Sequence, residues 1–265
     1  MQAHVPKFKL AVWKFASCDG CQLSLLDCED EFLSLAQEIS IEHFLEASSH
    51  IGKGPYDLSL VEGSISRSTD LKRIQDIRRK SKRLIAIGAC ATSGGLQALR
   101  NFASHADFVS HVYANPEYID SLEHSLPISS YVKVDFELMG CPVDKHQLLE
   151  LIAACRQNRK PMIARQSVCV ECKSQGRVCV LVAKSLPCLG PVTQAGCGAL
   201  CPTFSRACYS CFGPKENANT RSLTDWFAEK NNLSSKELKH MFRFIHSWEP
   251  TFRQESLRHE ENSND

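Results

Sequence analysis

The apolar run Lys9-Leu10-Ala11-Val12-Trp13-Lys14-Phe15 breaks directly into Ser17-Cys18-Asp19-Gly20-Cys21, a strand-like segment whose end delivers two cysteines. The arrangement recurs three times. Tyr56 to Val61 reads as a second strand after a Gly-Lys-Gly-Pro turn at 52–55, and it ends in Glu62-Gly63-Ser64. Leu84 to Ile87 runs into Gly88-Ala89-Cys90, with Gly94-Gly95 beyond, and Tyr131 to Met139 alternates and ends in Gly140-Cys141-Pro142. Helical stripes lie between these strands. Leu25, Cys28, Phe32 and Leu35 form one, and Leu71, Ile74 and Ile77 form another, whose other faces carry Lys72, Arg73, Arg78, Arg79 and Lys80. A third helix starts at Asp144, has Gln147 at capping-box spacing, and runs through Leu148, Ile152 and Cys155. Strands alternating with helices predict an α/β fold whose parallel sheet is covered on both faces. Ligands in such folds gather at the carboxyl ends of the strands, so Cys18, Cys21, Cys90 and Cys141 are expected on one edge.

The chain has 265 residues, 43% apolar and 23% charged, enough for a large hydrophobic core. Its net charge of +1 gives no polycation for nucleic acid, and no run of about eighteen uncharged apolar residues predicts a membrane span. Met1 to Lys7 leads into the first strand without an apolar signal core, so a cytoplasmic location is expected. Composition changes near Arg159-Lys160-Pro161. Residues 1–160 read as the sheet domain and 161–265 as a second domain, turn-rich and cysteine-rich to 215. Helical stretches are expected around Trp226 and from His240 to Trp248, then a disordered polar tail from about Arg258 to Asp265.

Fourteen cysteines are the anomaly. In a reducing compartment a disulfide framework is the poorer reading and metal or cluster ligation the better one. Cys28 and Cys155 fall on apolar helical stripes and read as small buried hydrophobes. The other twelve divide into three sets of four, which suits cubane clusters. The first set is Cys18, Cys21, Cys90 and Cys141. The remaining eight are Cys169, Cys172, Cys179, Cys188, Cys197, Cys201, Cys208 and Cys211; a sequential division is simplest, and an interleaved one stays open. Four cysteines suit zinc as well. Against zinc, residues 161–215 contain no histidine, and they hold six Lys or Arg against one acid, Glu171, a balance that favours an anionic cluster. Glu62, at a strand end, reads first as a loop-bonding carboxylate and second as part of a proton or water network. The basic helix at 72–83 reads as a solvated face rather than a dock for an acidic partner. No histidine stands at a useful spacing for a cysteine or serine nucleophile.

Over about residues 9–215 the pattern resembles the small, electron-transferring subunit of nickel–iron hydrogenases. The markers are Ser17-Cys18-Asp19-Gly20-Cys21, Val61-Glu62-Gly63-Ser64, Gly88-Ala89-Cys90-Ala91 with Gly94-Gly95, Gly140-Cys141-Pro142, Pro187-Cys188-Leu189-Gly190-Pro191, and Cys208-Tyr209-Ser210-Cys211-Phe212-Gly213-Pro214. The soluble, cytoplasmic, NADP-linked group, the sulfhydrogenase delta subunits, is most like it. The resemblance implies a flavodoxin-like domain whose Cys18, Cys21, Cys90 and Cys141 hold a proximal 4Fe–4S cluster beside the nickel–iron centre of a large subunit. It implies a distal cluster on Cys169, Cys172, Cys179 and Cys188, and a medial one on Cys197, Cys201, Cys208 and Cys211. Implied partners are that large subunit and flavin- and NAD(P)-binding, ferredoxin-like electron-transfer subunits. The chain departs from periplasmic relatives in having Cys169 where a histidine ligates the distal cluster and four medial cysteines instead of three. It also has Val143 in place of a second proline, and Gln22-Leu23-Ser24 where those relatives carry a glutamate. Two rivals remain: a zinc-stabilised cytoplasmic interaction module, and the related subunit of a quinone-reducing complex. The latter carries adjacent cysteines after the first strand and lacks the eight later ones.

Overall fold

The structure, a computed structural model, describes residues 7–31 and 38–261. Five strands form one sheet: β1 (Phe8–Lys14), β2 (Ile39–His43), β3 (Tyr56–Glu62), β4 (Ser81–Ile87) and β5 (Phe136–Leu138). Their order is β2-β1-β3-β4-β5 and every pairing is parallel, with Leu10 opposite Leu58 and Leu58 opposite Arg83. This is the flavodoxin-like order, in which the chain reverses its direction of travel across the sheet between β1 and β3 and opens a crevice there.

Alternation along the strands sorts the core into two layers. Leu10, Val12, Leu58, Leu60, Ile85, Ile87 and Leu138 face the helix Lys145–Arg156 through Leu148, Leu151 and Ile152. Val61, Leu84 and Ala86 face the helix Ser68–Lys80 through Ile74 and Ile77. Burying each such side chain stabilises the fold by about 1.5–3 kcal/mol. Cys28 and Cys155 are both buried, and the Cys28 thiol bonds the Ser24 carbonyl.

Several local expectations are corrected. The edge strand β2 is missing from the sequence reading, because Ile39-Ser40-Ile41-Glu42-His43 is short and half polar. The strand expected over Tyr131 to Met139 shrinks to Phe136–Leu138, since Tyr131 and Val132 close a turn on the Ile128 carbonyl. The stripe Leu25, Cys28, Phe32, Leu35 is not one helix: Gly20–Leu26 ends in a cap at Asp27, and Phe32 and Leu35 lie outside the described residues. Asp144 caps its helix by accepting from the His146 and Gln147 N–H groups at 3.0 Å. Gln147 does not return the bond, because its amide lies against Gly196. The helix expected from His240 to Trp248 runs earlier, Ser235–Phe242, and residues 243–249 form turns. The tail expected from Arg258 is helical through Glu261 in Pro250–Glu261, where Arg258 pairs with Glu255 and Asp225; residues 262–265 lie outside the described residues. The basic helix ends at Lys80. Most of its charges are satisfied within the chain: Arg78 on Asp135 at 2.6 Å, Lys80 on Asp76 at 2.7 Å, and Arg73 on the Lys14 carbonyl and the Phe15 ring.

The cysteine-rich segment has a core of its own. Val168, Val180, Cys188, Ala199 and Cys208 pack together, while Leu189 and Val192 join Phe227, Leu238, Phe242 and Phe252 from the three C-terminal helices, which include Thr220–Asn231. At the junction with the sheet, Glu150 accepts both Arg159 guanidinium nitrogens at 2.5 and 2.7 Å and the Met162 N–H at 2.8 Å. The Arg159 bonds, then the Met162 N–H, hold this carboxyl down to about 2. Its contribution is therefore complete above the ordinary glutamate value of 4.5 and is lost as pH falls through 2. Exposed pairs of this kind contribute about 1 kcal/mol or less. Glu150→Gln should show a small loss of stability at pH 7 by chemical unfolding, narrowing as pH drops below 4.5; a gap that grows in acid would refute the assignment.

Candidate metal centres

The β1/β3 crevice is where the first four cysteines meet. Cys18 and Cys21 follow β1, Cys90 lies in the helix Gly88–Ser93 after β4, and Cys141 follows β5. The loops carrying them are tied to one another. Glu62, the last residue of β3, accepts the Cys21 N–H at 3.1 Å, and the Ala89 N–H donates to the Gly140 carbonyl at 2.8 Å. Asp19 turns the first loop with φ 67°, paired to Lys14. The Gln97 amide donates to the Ala16 carbonyl at 2.6 Å and stands 3.6 Å from Cys90 Sγ, fixing both thiol loops.

The glycines around this set leave room for sulfur. A Cβ on Gly88, at φ +83°, would stand 2.3 Å from Cys21 Sγ; one on Gly95 would stand 2.6 Å from Cys90 Sγ. Burial pushes the Cys21 thiol upward, and the Glu62 charge adds to it, with Cys90 and Cys141 contributing. Burial pushes Cys90 to about 11 and raises Cys141, each again with neighbouring thiols contributing. Thiols that raise one another need a cation to ionise together, and metal coordination deprotonates them outright. Glu62 is buried; its Oε1 orders the Cys21 loop, and its Oε2 has no partner among the described residues.

The later eight cysteines also fall into neighbourhoods. Cys169, raised to about 11 by burial, next feels Cys188, Cys172 and Cys179, and Cys172 feels Cys188 and Cys179 after its own burial. Cys211, raised to about 12 by burial, next feels Cys197 and Cys201, then Cys141 of the first set. With 169, 172, 179 and 188 taken as the second set and 197, 201, 208 and 211 as the third, the two also touch each other: after burial and hydrogen bonds, Cys172 feels Cys197, Cys188 feels Cys201, and Cys208 feels Cys188 ahead of Cys211. A cavity of about 230 Å³ bordered by Cys141, Cys197, Cys201, Cys208 and Cys211 sets the third beside the first. The Cys208 N–H donates to Cys188 Sγ at 3.2 Å, linking third to second. Gly190 adds room at the second set: its Cβ would meet Cys188 Sγ at 3.4 Å and Cys169 Sγ at 3.6 Å.

Three supporting residues escaped the sequence reading. Glu171, the lone acid of residues 161–215, turns inward to accept the Gly196 and Ala199 N–H groups at 2.8 and 3.1 Å beside Cys197. Gln97 supports the first set. His246 is buried between Ser93 and the Cys211 carbonyl, and that burial pushes its imidazole down to about 4. The charge imbalance around Glu171 was a usable signal; nothing local marked the other two.

A flavodoxin-like sheet whose strand ends gather four thiols, followed by a segment that bears eight more, defines a scaffold of the kind that holds thiolate-ligated clusters. A protein-family model described as NADH ubiquinone oxidoreductase, 20 Kd subunit, matches residues 18–155. The sulfhydrogenase 2 subunit delta of Pyrococcus furiosus is 35% identical over 240 residues, covering 91% of this chain and 100% of its own length. A subunit of the vhu F420-non-reducing hydrogenase of Methanocaldococcus jannaschii is 31% identical, covering 79% of this chain and 83% of its own. The solved NAD+-reducing [NiFe]-hydrogenase in its H2-reduced state contains a chain that superposes with a TM-score of 0.55 at 26% identity, covering 60% of this chain and 96% of that one. The chain belongs to the family that the model describes, and within it to the small subunits of nickel–iron hydrogenases, so it is one subunit of an oxidoreductase. The family match ends before Cys169, whereas the sulfhydrogenase match extends well past it, which sets the quinone-reducing alternative aside. Small subunits of this family carry iron–sulfur clusters and work with a large subunit. Among the described residues no helix is long and apolar enough to cross a membrane.

Proposed function

We propose that this subunit holds three 4Fe–4S clusters and relays electrons between the nickel–iron site of its large subunit and a flavoprotein module that reduces NAD(P). The observation that carries the reading is the first set: four thiols from three strand ends, with glycines keeping space open against the sulfurs of Cys21 and Cys90. The bound clusters would supply one-electron transfer, and Cys18, Cys21, Cys90 and Cys141 would hold one, with the second and third sets holding the others. Glu62 and Gln97 fix the loops that present the first thiols, Glu171 fixes the Cys197 turn, and the Cys208 N–H supports Cys188. Hydrogen bonds of this kind to sulfur and burial of the site tune potential. The proposal includes the cytoplasm as compartment, where cluster-ligating thiols stay reduced.

NAD(P) as acceptor draws support from the NAD+-reducing neighbour, while the names of the other relatives point to different acceptors. The test is metal and sulfide analysis of the anaerobically purified complex, followed by hydrogen-dependent reduction of NADP and NAD. About twelve iron and twelve sulfide per small subunit would match three cubanes. Stoichiometric zinc without sulfide would replace the reading with a zinc-bound interaction module. Full iron without reduction of either nucleotide would leave the relay standing and remove the flavoprotein partner.

A further inference from the structure

We propose that His246 is a positioning residue that fixes the first cysteine set, carried by the sheet, against the third, carried by residues 197–211; this rests on the cluster reading above. His246 lies on the turn between the helices Ser235–Phe242 and Pro250–Glu261 and is 2% exposed. Its Nδ1 stands 2.9 Å from Ser93 Oγ, and its Nε2 stands 3.0 Å from the Cys211 carbonyl oxygen. Ser93 closes the same short helix that carries Cys90. One imidazole therefore bridges a segment bearing a first-set sulfur and the backbone of a third-set cysteine.

The donor roles follow from the partners. A carbonyl only accepts, so Nε2 carries the ring proton and donates to Cys211, leaving Nδ1 to accept from the Ser93 hydroxyl. That hydroxyl's single proton is bifurcated between Nδ1 and the Ala89 carbonyl, 2.9 Å away within the first-set helix. The corner is tight: a Cβ on Gly213, at φ +68°, would stand 3.1 Å from His246 Nδ1 and 2.8 Å from the sulfur of Met139, which adjoins Gly140-Cys141. The turn is also clamped on the sheet side. Trp248 meets the Phe102 ring edge-on at 5.2 Å, and the Arg243 guanidinium lies 4.0 Å over the same ring. The two sets share the wall of one cavity, and electron tunnelling falls exponentially with separation, so a rigid bridge at this boundary sets the step between them.

The test uses the assembled complex, purified anaerobically, with iron and sulfide counted first. His246→Phe keeps a ring and removes both hydrogen bonds, His246→Gln keeps a donor for the Cys211 carbonyl, and Ser93→Ala removes one bond alone. EPR of the reduced complex reads the magnetic interaction between first-set and third-set clusters, and rapid mixing reads their internal electron exchange. In fully loaded His246→Phe the splitting should change and exchange should slow about tenfold, as loss of supporting partners commonly does. His246→Gln should recover most of this, and Ser93→Ala should shift the same way by less. A fully loaded His246→Phe with wild-type splitting and exchange overturns the proposal. If that variant does not assemble, Ser93→Ala decides, and wild-type behaviour there overturns it. A wild-type complex lacking iron and sulfide is a different result, which sinks the cluster reading itself.

Discussion

Cys90→Ala, introduced into the assembled complex, is expected to lower iron from about twelve to about eight per small subunit and to lower hydrogen-dependent acceptor reduction by at least about 100-fold, the upper range for losing a mere supporting partner. Cys90 is one of four thiols at the β1/β3 crevice, and its sulfur is held between Gly95 and the Gln97 amide. The matched control is Cys155→Ala. Cys155 is buried to the same degree as Cys21, but on the helix Lys145–Arg156, packed with Leu151 and Ile152. Its removal should leave iron, sulfide and activity at wild-type levels. Twelve irons retained by Cys90→Ala would remove this cysteine from the ligand set. Iron lost by Cys155→Ala would add a cysteine that the packing assigns to the core.

Gly88→Ala should destabilise the assembled subunit by about 3 kcal/mol, combining the penalty for a left-handed backbone with overpacking. At φ +83° an L side chain is strained whatever the space, and its Cβ would stand 2.3 Å from Cys21 Sγ. The sulfur could swing aside in an empty site, but a thiolate bonded to iron has no such freedom. The substitution should therefore show two effects at once: a lower Tm and partial loss of first-set iron. Gly176→Ala separates them. Gly176 has φ +64° with nothing within 4 Å of its Cβ position, so it should carry the backbone strain alone, about 1–2 kcal/mol, with full iron. Equal Tm losses and full iron in both variants would show that Gly88 serves the backbone turn and not the sulfur.

Most of the fold was legible because its signals are local. Leu10, Leu58, Leu60, Ile85 and Ile87 announce strands through short apolar runs, and each run ends in glycine or cysteine where a parallel sheet puts its ligand edge. The convergence of Cys18, Cys21, Cys90 and Cys141 followed from that rule alone. Where local pattern and tertiary context disagree, the reading slipped. Tyr131 to Val134 alternate like a strand, yet they pack against the Ile74 layer from a turn. Gln147 has the spacing of a capping box, yet its amide is drawn to Gly196, 49 positions along the chain. The polar residues of Pro250–Glu261 look like a solvated tail, but Glu255 is 5% exposed and accepts from Thr220, Thr224 and Arg258.

By itself, the sequence determined the parallel sheet and the strand ends at which the first four thiols lie. Hydrophobic period and strand-end position are properties of a few consecutive residues, so they survive without coordinates. Only the tertiary structure decided what core holds the cysteine-rich segment and which polar residues brace the sulfurs. Glu171 reaches Ala199, Gln97 reaches Ala16, and His246 reaches Ser93 across 28, 81 and 153 positions. Contacts closed over such separations depend on how whole elements pack, and no short stretch of chain encodes them.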